Sequence, residues 1–211
     1  MRQFNGLFTA VVIDNQDPED IGRVKVRIPQ GGVETWARIA TMTAGNDRGS
    51  WFIPDVNDEV LVGFGEGTAD QAYVIGGLWS KISPPPEKMD ANNNKKLLRS
   101  RNGVKITLDD QSGQENFIVE TPGGQKITLK DGPGSIEIKD SNGNSVNLET
   151  DGISVNASAK VTINASQVVV NSAAVSVNAA MSKFSGVVQC DTLISNSVNS
   201  ASYTPGAGNI W

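Results

Sequence analysis

Histidine is absent from this 211-residue chain, and cysteine occurs once, at Cys190. Without histidine, most catalytic triads, metal hydrolases and general-base schemes lack their usual proton carrier. A single cysteine cannot form an intrachain disulfide, and it is most simply interpreted as a small apolar packing residue. These two absences disfavour the common hydrolytic chemistries and a disulfide framework.

Long apolar runs and an excess of positive charge are also missing. The formal net charge is −5, and this acidity disfavours sequence-independent binding of nucleic acid. The N-terminal stretch is broken by Asn5 and Thr9, so it does not resemble a signal peptide, and no later run approaches the roughly 18–20 residues of a membrane span. We therefore expect assembly in the cytoplasm, with any extracellular role dependent on delivery by a machine.

The first 80 residues contain short apolar-alternating runs separated by Gly, Pro and Asn. In the clearest run, Val24, Val26 and Ile28 alternate with three basic residues, which places the apolar side chains on one face. No segment carries a convincing helical period. Five strands within about 80 residues are typical of an OB-type barrel. The predicted strands are Leu7–Ile13, Arg23–Ile28, Thr35–Ala40, Glu59–Phe64 and Gln71–Ile75.

An OB barrel often binds oligonucleotides, and this alternative depends on charge. Residues 1–98 contain 10 Lys and Arg against 13 Asp and Glu, a net charge of −3. The basic stripe of Arg23, Lys25 and Arg27 has no interleaved stacking aromatics, so we interpret it as a solvated or partner-facing strand face. We expect no nucleic-acid partner.

Residues 81–98 separate two unlike halves of the chain. Three consecutive prolines, at 84–86, favour extended geometry, and the polar run after them cannot build a core. We predict domains at 1–80 (OB barrel), 81–98 (linker), 99–185 (a repetitive β segment) and 186–211 (a terminal segment).

The second half carries a degenerate repeat of apolar–x–apolar triplets, each followed by a small or polar break. Such a repeat signals a β-solenoid or a fibre. In the early segment Phe117-Ile118-Val119, we predict that Ile118 alone is the apolar member of the repeat. From Val146 onward the triplets recur every 7 or 8 residues, and four of them precede an asparagine suited to a sharp bend.

One triplet offers only two core residues, because a period of two places both on one face of a strand. Ordering each residue costs about 1–2 kcal/mol in backbone entropy. In a single chain with one thin apolar face, the free energy gained by burial would barely offset this cost. Three chains whose faces meet on a common axis would share one dry core. We therefore predict an all-β homotrimer with the axial residues Ile153, Val155, Val161, Ile163, Val168, Val170, Val175 and Val177.

Ordered motifs in the first half resemble the OB domain of phage baseplate assembly protein V and of the VgrG spikes of type VI secretion. The second half resembles the intertwined triple-stranded β-helix that follows this domain in those spikes. The matching residues are 17–29 (DPEDIGRVKVRIP), 36–38 (WAR), 44–49 (AGNDRG), 51–54 (WFIP), 57–64 (NDEVLVGF), 73–78 (YVIGGL) and 84–86 (PPP).

The resemblance implies a homotrimeric spike on the tail axis, without catalysis or cofactor, that pierces the target cell envelope. It implies hub and tail tube proteins at the OB end, and a separate hub because the chain starts directly at that domain. With no histidine, the chain lacks the His-x-His metal site at the tip of some short phage spikes. Trp211 is a candidate for plugging the fibre end or docking a PAAR-like tip protein.

Two rival functions remain at this point. One is a monomeric β-solenoid that binds carbohydrate or adheres to surfaces. Its enzymatic form is disfavoured because residues 151–211 hold only Asp151 and Asp191 as acids. The other is an OB-type nucleic-acid binder. For the spike, roughly ten rungs spaced about 4.8 Å apart would give a needle on the order of 50 Å long.

Overall fold

A computed structural model describes residues 4–202 of the chain. Within these residues the regular structure is β, apart from one short 3-10 turn at Gly65–Gly67. The chain divides into two units, Met1–Val161 and Thr162–Trp211. The first unit contains a barrel followed by a separate sheet.

The barrel closes through five strands in the order β1-β2-β3-β7-β6. Neighbouring strands are antiparallel except β3 and β7, which pair in parallel through Ala37 and Ala72. A two-strand ladder, β4 with β5, lies in the connection between β3 and β6. The strands are β1 (Leu7–Asp14), β2 (Arg23–Ile28), β3 (Val33–Ile39), β4 (Ala44–Gly45), β5 (Arg48–Gly49), β6 (Glu59–Phe64) and β7 (Ala72–Gly77).

Alternation along the strands fills the barrel. Because successive side chains point to opposite faces, Val24, Val26 and Ile28 of β2 are fully buried while their basic neighbours stay at the surface. Phe4 stacks on Phe64 and closes one part of the barrel with a 4.5 Å separation of ring centroids. The core consists of Ala10, Val12, Val24, Val26, Ile28, Ala37, Val60, Val62, Ala72 and Val74.

The sequence-based prediction of an all-β chain with a five-stranded N-terminal barrel is confirmed. Every predicted strand is present, with ends that differ from the prediction by at most two residues. The short β4–β5 ladder was not predicted, because two-residue strands carry no periodic signal.

The second sheet is a meander of seven antiparallel strands in chain order from β8 to β14. Each strand is five residues long. Short turns join them, so each strand pairs with its predecessor and its successor. They are β8 (Lys95–Arg99), β9 (Lys105–Asp109), β10 (Asn116–Glu120), β11 (Lys126–Lys130), β12 (Ser135–Lys139), β13 (Ser145–Glu149) and β14 (Gly152–Asn156).

This meander differs from the predicted rung arrangement. We predicted strands of an intertwined helix from residue 99 onward, with pairing between chains, whereas residues 95–156 pair within the chain. The apolar-x-apolar period requires an extended strand but does not say which chain supplies the next one. Strand β8 also overlaps the end of the segment predicted as a linker.

Residues 162–202 of the second unit contain no strand, and all of them are exposed. Their apolar triplets, such as Val168-Val169-Val170, have no packing partner within that described segment. Among residues 4–202, no helix is long and apolar enough to cross a membrane.

Candidate assembly interface

One face of the β8–β14 meander is apolar on every strand, apart from Lys96 on β8. The register sets Ile106 opposite Val119, and Ile127 opposite both Val119 and Ile138, so that apolar residues continue from strand to strand. Directly opposed residues share a face. The face, named here the apolar face, comprises Leu98, Ile106, Leu108, Phe117, Val119, Ile127, Leu129, Ile136, Ile138, Val146, Leu148, Ile153 and Val155.

On this sheet the apolar side chains are more exposed than the polar ones, the reverse of the usual arrangement in a folded core. Ten members of the apolar face are between 37% and 73% exposed. On β9, Leu108 is 48% exposed, whereas the adjacent Thr107, on the opposite face, is only 6% exposed. Each half-exposed aliphatic side chain can still gain roughly half of the about 1.5–3 kcal/mol that full burial provides. Within the described part of the first unit, residues 4–161, the apolar face therefore has no covering layer.

The opposite face of the sheet is mostly polar. Several of its charged side chains pair with neighbours, whereas the buried hydroxyls of Thr107 and Thr128 have no hydrogen-bond partner among the described residues. Lys105 and Glu120 lie directly opposite each other and form an ion pair of 2.6 Å. The Lys105 ammonium holds the pKa of Glu120 below its usual value. Lys139 pairs with Glu137 on the same strand at 3.0 Å. This face is suited to contact with water.

Three turns on one lateral edge share a five-residue design. In the β10–β11 turn the Gly124 amide donates to the Thr121 carbonyl at 3.0 Å, and Gly124 has a φ of +88°. That conformation favours glycine, and a type I turn followed by such a residue is a common hairpin connection. Glycines 103 and 143 occupy the equivalent positions in the other two turns, with φ of +90° and +86°.

Asp140 organises the β12–β13 turn. Its Oδ1 accepts hydrogen bonds from the backbone amides of Asn142 and Asn144, both at 2.9 Å. Its Oδ2 accepts from the side-chain amide of Asn144 at 2.7 Å. These donors, Asn144 foremost, lower the pKa of Asp140 to about 2. Asn144 Oδ1 in turn accepts from the Ser158 amide at 2.9 Å and ties the segment after β14 to the turn.

The predicted axial residues fall into two groups. Ile153 and Val155 lie on β14 and belong to the apolar face, where they are 73% and 59% exposed. The others lie after β14, in residues that form no strand, and all are exposed: Val161, Ile163, Val168, Val170, Val175 and Val177. Trp211, the predicted tip residue, lies outside the described residues.

Comparison with protein families identifies both halves. Residues 8–79 match the model of the type VI secretion system/phage-baseplate injector OB domain. Residues 116–178 match the phage baseplate V C-terminal trimerisation domain. The chain belongs to the family of phage baseplate V and VgrG-like spike proteins. The trimerisation match covers most of the apolar face and the distal triplets, and thereby agrees with a face that lacks a partner in one chain.

Relatives in this family include spike proteins of type VI secretion systems. The chain is 34% identical over 111 residues to the spike protein VgrG4b of Pseudomonas aeruginosa, covering 46% of this chain and 14% of that protein. It is 29% identical over 133 residues to VgrG3 of Vibrio cholerae, covering 56% of this chain and 13% of that protein. The actin cross-linking toxin VgrG1 of Vibrio cholerae is 27% identical over 131 residues, which span 54% of this chain and 12% of the toxin. The chain therefore aligns with less than a fifth of each of these relatives.

In the OB barrel of this spike-family chain, Asp17 organises the loop that precedes β2. The carboxylate accepts from the amides of Glu19, Ile21 and Arg23, and its Oδ1 pairs with the Arg23 guanidinium at 2.8 Å. This ion pair, together with those amides, holds the pKa of Asp17 well below its usual range. The other basic residues of the β2 stripe, Lys25 and Arg27, both pair with Glu34. The stripe is thus neutralised within the chain, which argues against the nucleic-acid alternative.

Beside this loop, the barrel has a hollow at the surface with a mixed polar and apolar lining. Ile21, Trp51 and Phe52 line it together with the β4–β5 ladder, and they are 62%, 76% and 64% exposed. Gly22 lies against the Trp51 ring, so that a Cβ at residue 22 would come within 3.3 Å of Trp51 Cζ3. Exposed aromatic residues grouped in this way are typical of protein–protein contacts.

The sequence reasoning missed most of the apolar face, because it restricted the axial set to residues from 153 onward. The earlier triplets carried the same signal, for example Ile127-Thr128-Leu129. In one triplet the facing was also wrong. The sequence predicts Ile118 as the apolar member, whereas Phe117 and Val119 lie on the apolar face and Ile118 points to the other side.

Proposed function

We propose that this chain forms a homotrimeric, non-catalytic spike at the centre of the baseplate of a contractile tail-like machine, where it pierces the target cell envelope. The apolar face of β8–β14 is the observation that carries the proposal, because its side chains are exposed in the described chain and the same faces of partner chains would cover them. The trimerisation-domain match over residues 116–178 supports three copies.

The dimensions of the sheet suit a three-sided prism. A strand of five residues is about 17 Å long, and the centre of a triangle with sides of about 17 Å lies about 5 Å from each side. Packed β-sheets lie about 10 Å apart, so each sheet fills about 5 Å with its side chains. Three apolar faces can therefore meet on one axis without a void, and seven stacked strands give a section about 30 Å high.

For the distal residues we propose the intertwined triple-stranded β-helix. The segment after Asn156 has no intrachain strand among its described residues, although Val161, Val168 and Val175 begin triplets at steps of 7 residues. Pairing between three chains would satisfy these backbone groups and bury the triplets together. In this proposal the helix extends to about residue 185, and residues 186–211, with Trp211, form the tip.

The two ends of the spike have different proposed partners. At the barrel, the exposed hollow of Ile21, Trp51 and Phe52 supports contact with hub and tail tube proteins. At the other end, we propose a PAAR-like tip protein or direct contact with the target envelope. Assembly takes place in the cytoplasm, and the machine then delivers the spike as a component of its particle.

The proposed work is mechanical. Sheath contraction supplies the energy, and the trimer supplies a stiff rod that transmits force to the envelope. One relative is named as a toxin, but this chain matches only 12% of that protein. The non-catalytic assignment rests on a short segment between barrel and sheet, with no room for an inserted catalytic domain between Gly77 and Lys95.

The first test is the solution mass of the purified chain by light scattering behind a sizing column, with a second run after brief exposure to SDS without heating. We expect a mass near three times 22.3 kDa that survives the detergent. A monomer of 22.3 kDa with full β-structure would overturn the trimer and favour the monomeric carbohydrate-binding or adhesive β-solenoid.

Two variants on one strand make this test specific for the apolar face. In Val155→Asp, three carboxylates meet near the axis in a dry environment, and we expect loss of the trimer. In Ser154→Asp, the carboxylate points to the polar face of the same strand, and the trimer should persist. Equal behaviour of the two variants would contradict the assignment of that face to the trimer core.

A further inference from the structure

Charged side chains of the β8–β14 sheet are sorted between its two lateral edges. Residues 95–161 contain nine basic and nine acidic residues, so the sorting does not follow from composition. The basic edge (residues 99–105, 120–126, 139–145 and 156–161) carries Arg99, Arg101, Lys105, Lys126, Lys139 and Lys160, against Glu120 and Asp140. The acidic edge (residues 95–96, 109–116, 130–135 and 149–152) carries Asp109, Asp110, Glu115, Asp131, Glu149 and Asp151, against Lys95, Lys96 and Lys130.

Several of these charges already have partners within the chain, and others do not. Lys105 and Lys139 are paired with glutamates of the polar face. Among the described residues, by contrast, Lys126 and Lys160 on the basic edge form no ion pair, nor do Asp131 and Asp151 on the acidic edge. Lys126 does lie opposite Glu120, whose pKa its charge helps to lower, but Glu120 is already paired with Lys105. Lys126 and Asp131 flank the same strand, at a distance of about 17 Å, so they cannot meet within one chain.

The unpaired lysines border a groove that continues the apolar face. Lys126 and Lys160 line it together with the apolar side chains of Ile127, Val146 and Val155. An occupant complementary to this groove needs apolar side chains that reach these apolar residues and carboxylates that reach the two lysines. The acidic edge of the same sheet has this composition, because Leu129 precedes Asp131 by two residues and Ile153 follows Asp151 by two residues.

We propose that the acidic edge of one chain packs against the basic edge of the next chain at each corner of the trimer, with Asp131 opposite Lys126 and Asp151 opposite Lys160. This inference rests on the trimer proposed above. Lys126 begins β11 and Asp131 follows its last residue, so both lie at the same height in the stack. Asp151 immediately precedes β14, three strands along the sheet from β11, and Lys160 follows the end of β14 by four residues on the side of the basic edge.

Three-fold symmetry makes the pairing consistent around the ring. A cyclic trimer joins unlike patches head to tail, so each corner brings together one basic and one acidic edge. A trimer with one chain inverted would instead place like-charged edges together at a corner, which is unfavourable. The sorted charges thus specify parallel orientation and axial register, which an apolar face of similar side chains specifies poorly.

Charge reversal on each edge, separately and together, tests the corners. The basic-edge variant is Lys126→Glu with Lys160→Glu, and the acidic-edge variant is Asp131→Lys with Asp151→Lys. Each places like charges at all three corners, and we expect a lower dissociation temperature of the trimer. In the combined four-residue variant every corner again has opposite charges, and we expect recovery toward the wild-type temperature. Because the partners cannot meet within one chain, recovery reports contacts between chains.

The readouts are mass by light scattering and the dissociation temperature at low salt and at 1 M salt, where screening over about 3 Å should diminish the differences. A trimeric wild type with no loss in either two-residue variant, or with no recovery in the combined variant, would overturn the corner pairing and leave the trimer intact. A monomeric wild type would instead overturn the trimer itself, so the two failures are distinguishable.

Discussion

At the scale of single residues, two aspartates set the geometry of loops from which longer elements begin. Asp17 gathers three backbone amides and the Arg23 guanidinium before β2. Asp140 does the same in the β12–β13 turn with donors from Asn142 and Asn144. A carboxylate that accepts several hydrogen bonds is favoured in its charged form. Both residues therefore link the stability of the fold to pH.

We predict that the variant Asp140→Asn weakens the β12–β13 turn. An amide nitrogen in place of Oδ2 would face the Asn144 side-chain amide, which now donates to Oδ2 at 2.7 Å, and two donors would oppose each other. The expected result is a lower urea midpoint at pH 7. Asp110→Asn is the matched control, because Asp110 is exposed on the opposite edge and no hydrogen bond of its side chain is found in the described part of the chain.

The pH dependence of this variant has a definite sign. The pKa of Asp140 is lowered from 3.8 to about 2 in the folded state. Its contribution is therefore complete above the unfolded pKa of 3.8 and is lost as pH falls toward about 2. Wild-type stability should fall in this window, and Asp140→Asn should fall less, since the remaining decline comes from groups such as Asp17 and Glu120. Parallel curves for wild type and variant would contradict the role of Asp140.

At the scale of elements, the same strand pattern has two different uses. In the barrel, β2 buries Val24, Val26 and Ile28 within its own chain. In the meander, β11 presents Ile127 and Leu129 to solvent at 40% and 41% exposure. The difference lies in closure. The strands of the closed barrel surround their core, whereas the open meander covers its apolar face from one side only. A sheet with one open apolar face requires a second layer to be stable.

For the distal triplets, the prediction concerns which side chains face the axis. In Val168→Asp the carboxylates of three chains would lie together in the core of the proposed helix, and we expect loss of the detergent-resistant trimer. Val169→Asp is the control on the same triplet, because the central residue points away from the axis in a strand. Resistance of unboiled samples to SDS distinguishes them. If the Val168→Asp trimer were stable and the Val169→Asp trimer were disrupted, Val169 rather than Val168 would point to the axis.

How far the sequence could predict these elements depends on how local their signal is. Strand β2 was predicted from Arg23 to Ile28, with its buried face, because alternation within one strand is enough. The sequence did not predict which way Phe117, Ile118 and Val119 point, because three consecutive apolar residues make the two faces of the strand equally apolar. Only the register with β9 determines which of them share the apolar face. The pairing partner of each meander strand was also inaccessible, because hairpin and rung arrangements share one side-chain period.

At the scale of the whole molecule, stability and assembly are expected to be inseparable. The barrel has a core of its own, whereas the apolar face and the distal triplets, including Val170, remain exposed in one chain. Most of the burial that would stabilise the needle therefore takes place between chains. In such a system the folded state is favoured by protein concentration through mass action.

We predict that thermal dissociation of the needle shifts upward with increasing chain concentration, while a fragment that contains only residues 1–80 unfolds at a temperature independent of concentration. The reason is that the needle transition changes the number of particles and the barrel transition does not. Circular dichroism melts over a hundredfold range of concentration measure both. A concentration-independent needle transition would indicate that the apolar face is covered within one chain.

The exposed apolar face also limits the lifetime of the free chain in the cell. Before three copies meet, each newly made chain displays a stripe of ten exposed aliphatic and aromatic side chains, from Leu98 to Val155, beside unpaired strand edges. Surfaces of this kind attract chaperones, proteases and other unfinished chains. Synthesis from neighbouring ribosomes on one message would shorten that interval, so the rate at which sister chains find each other, more than the strength of the finished needle, would determine how much spike a cell obtains.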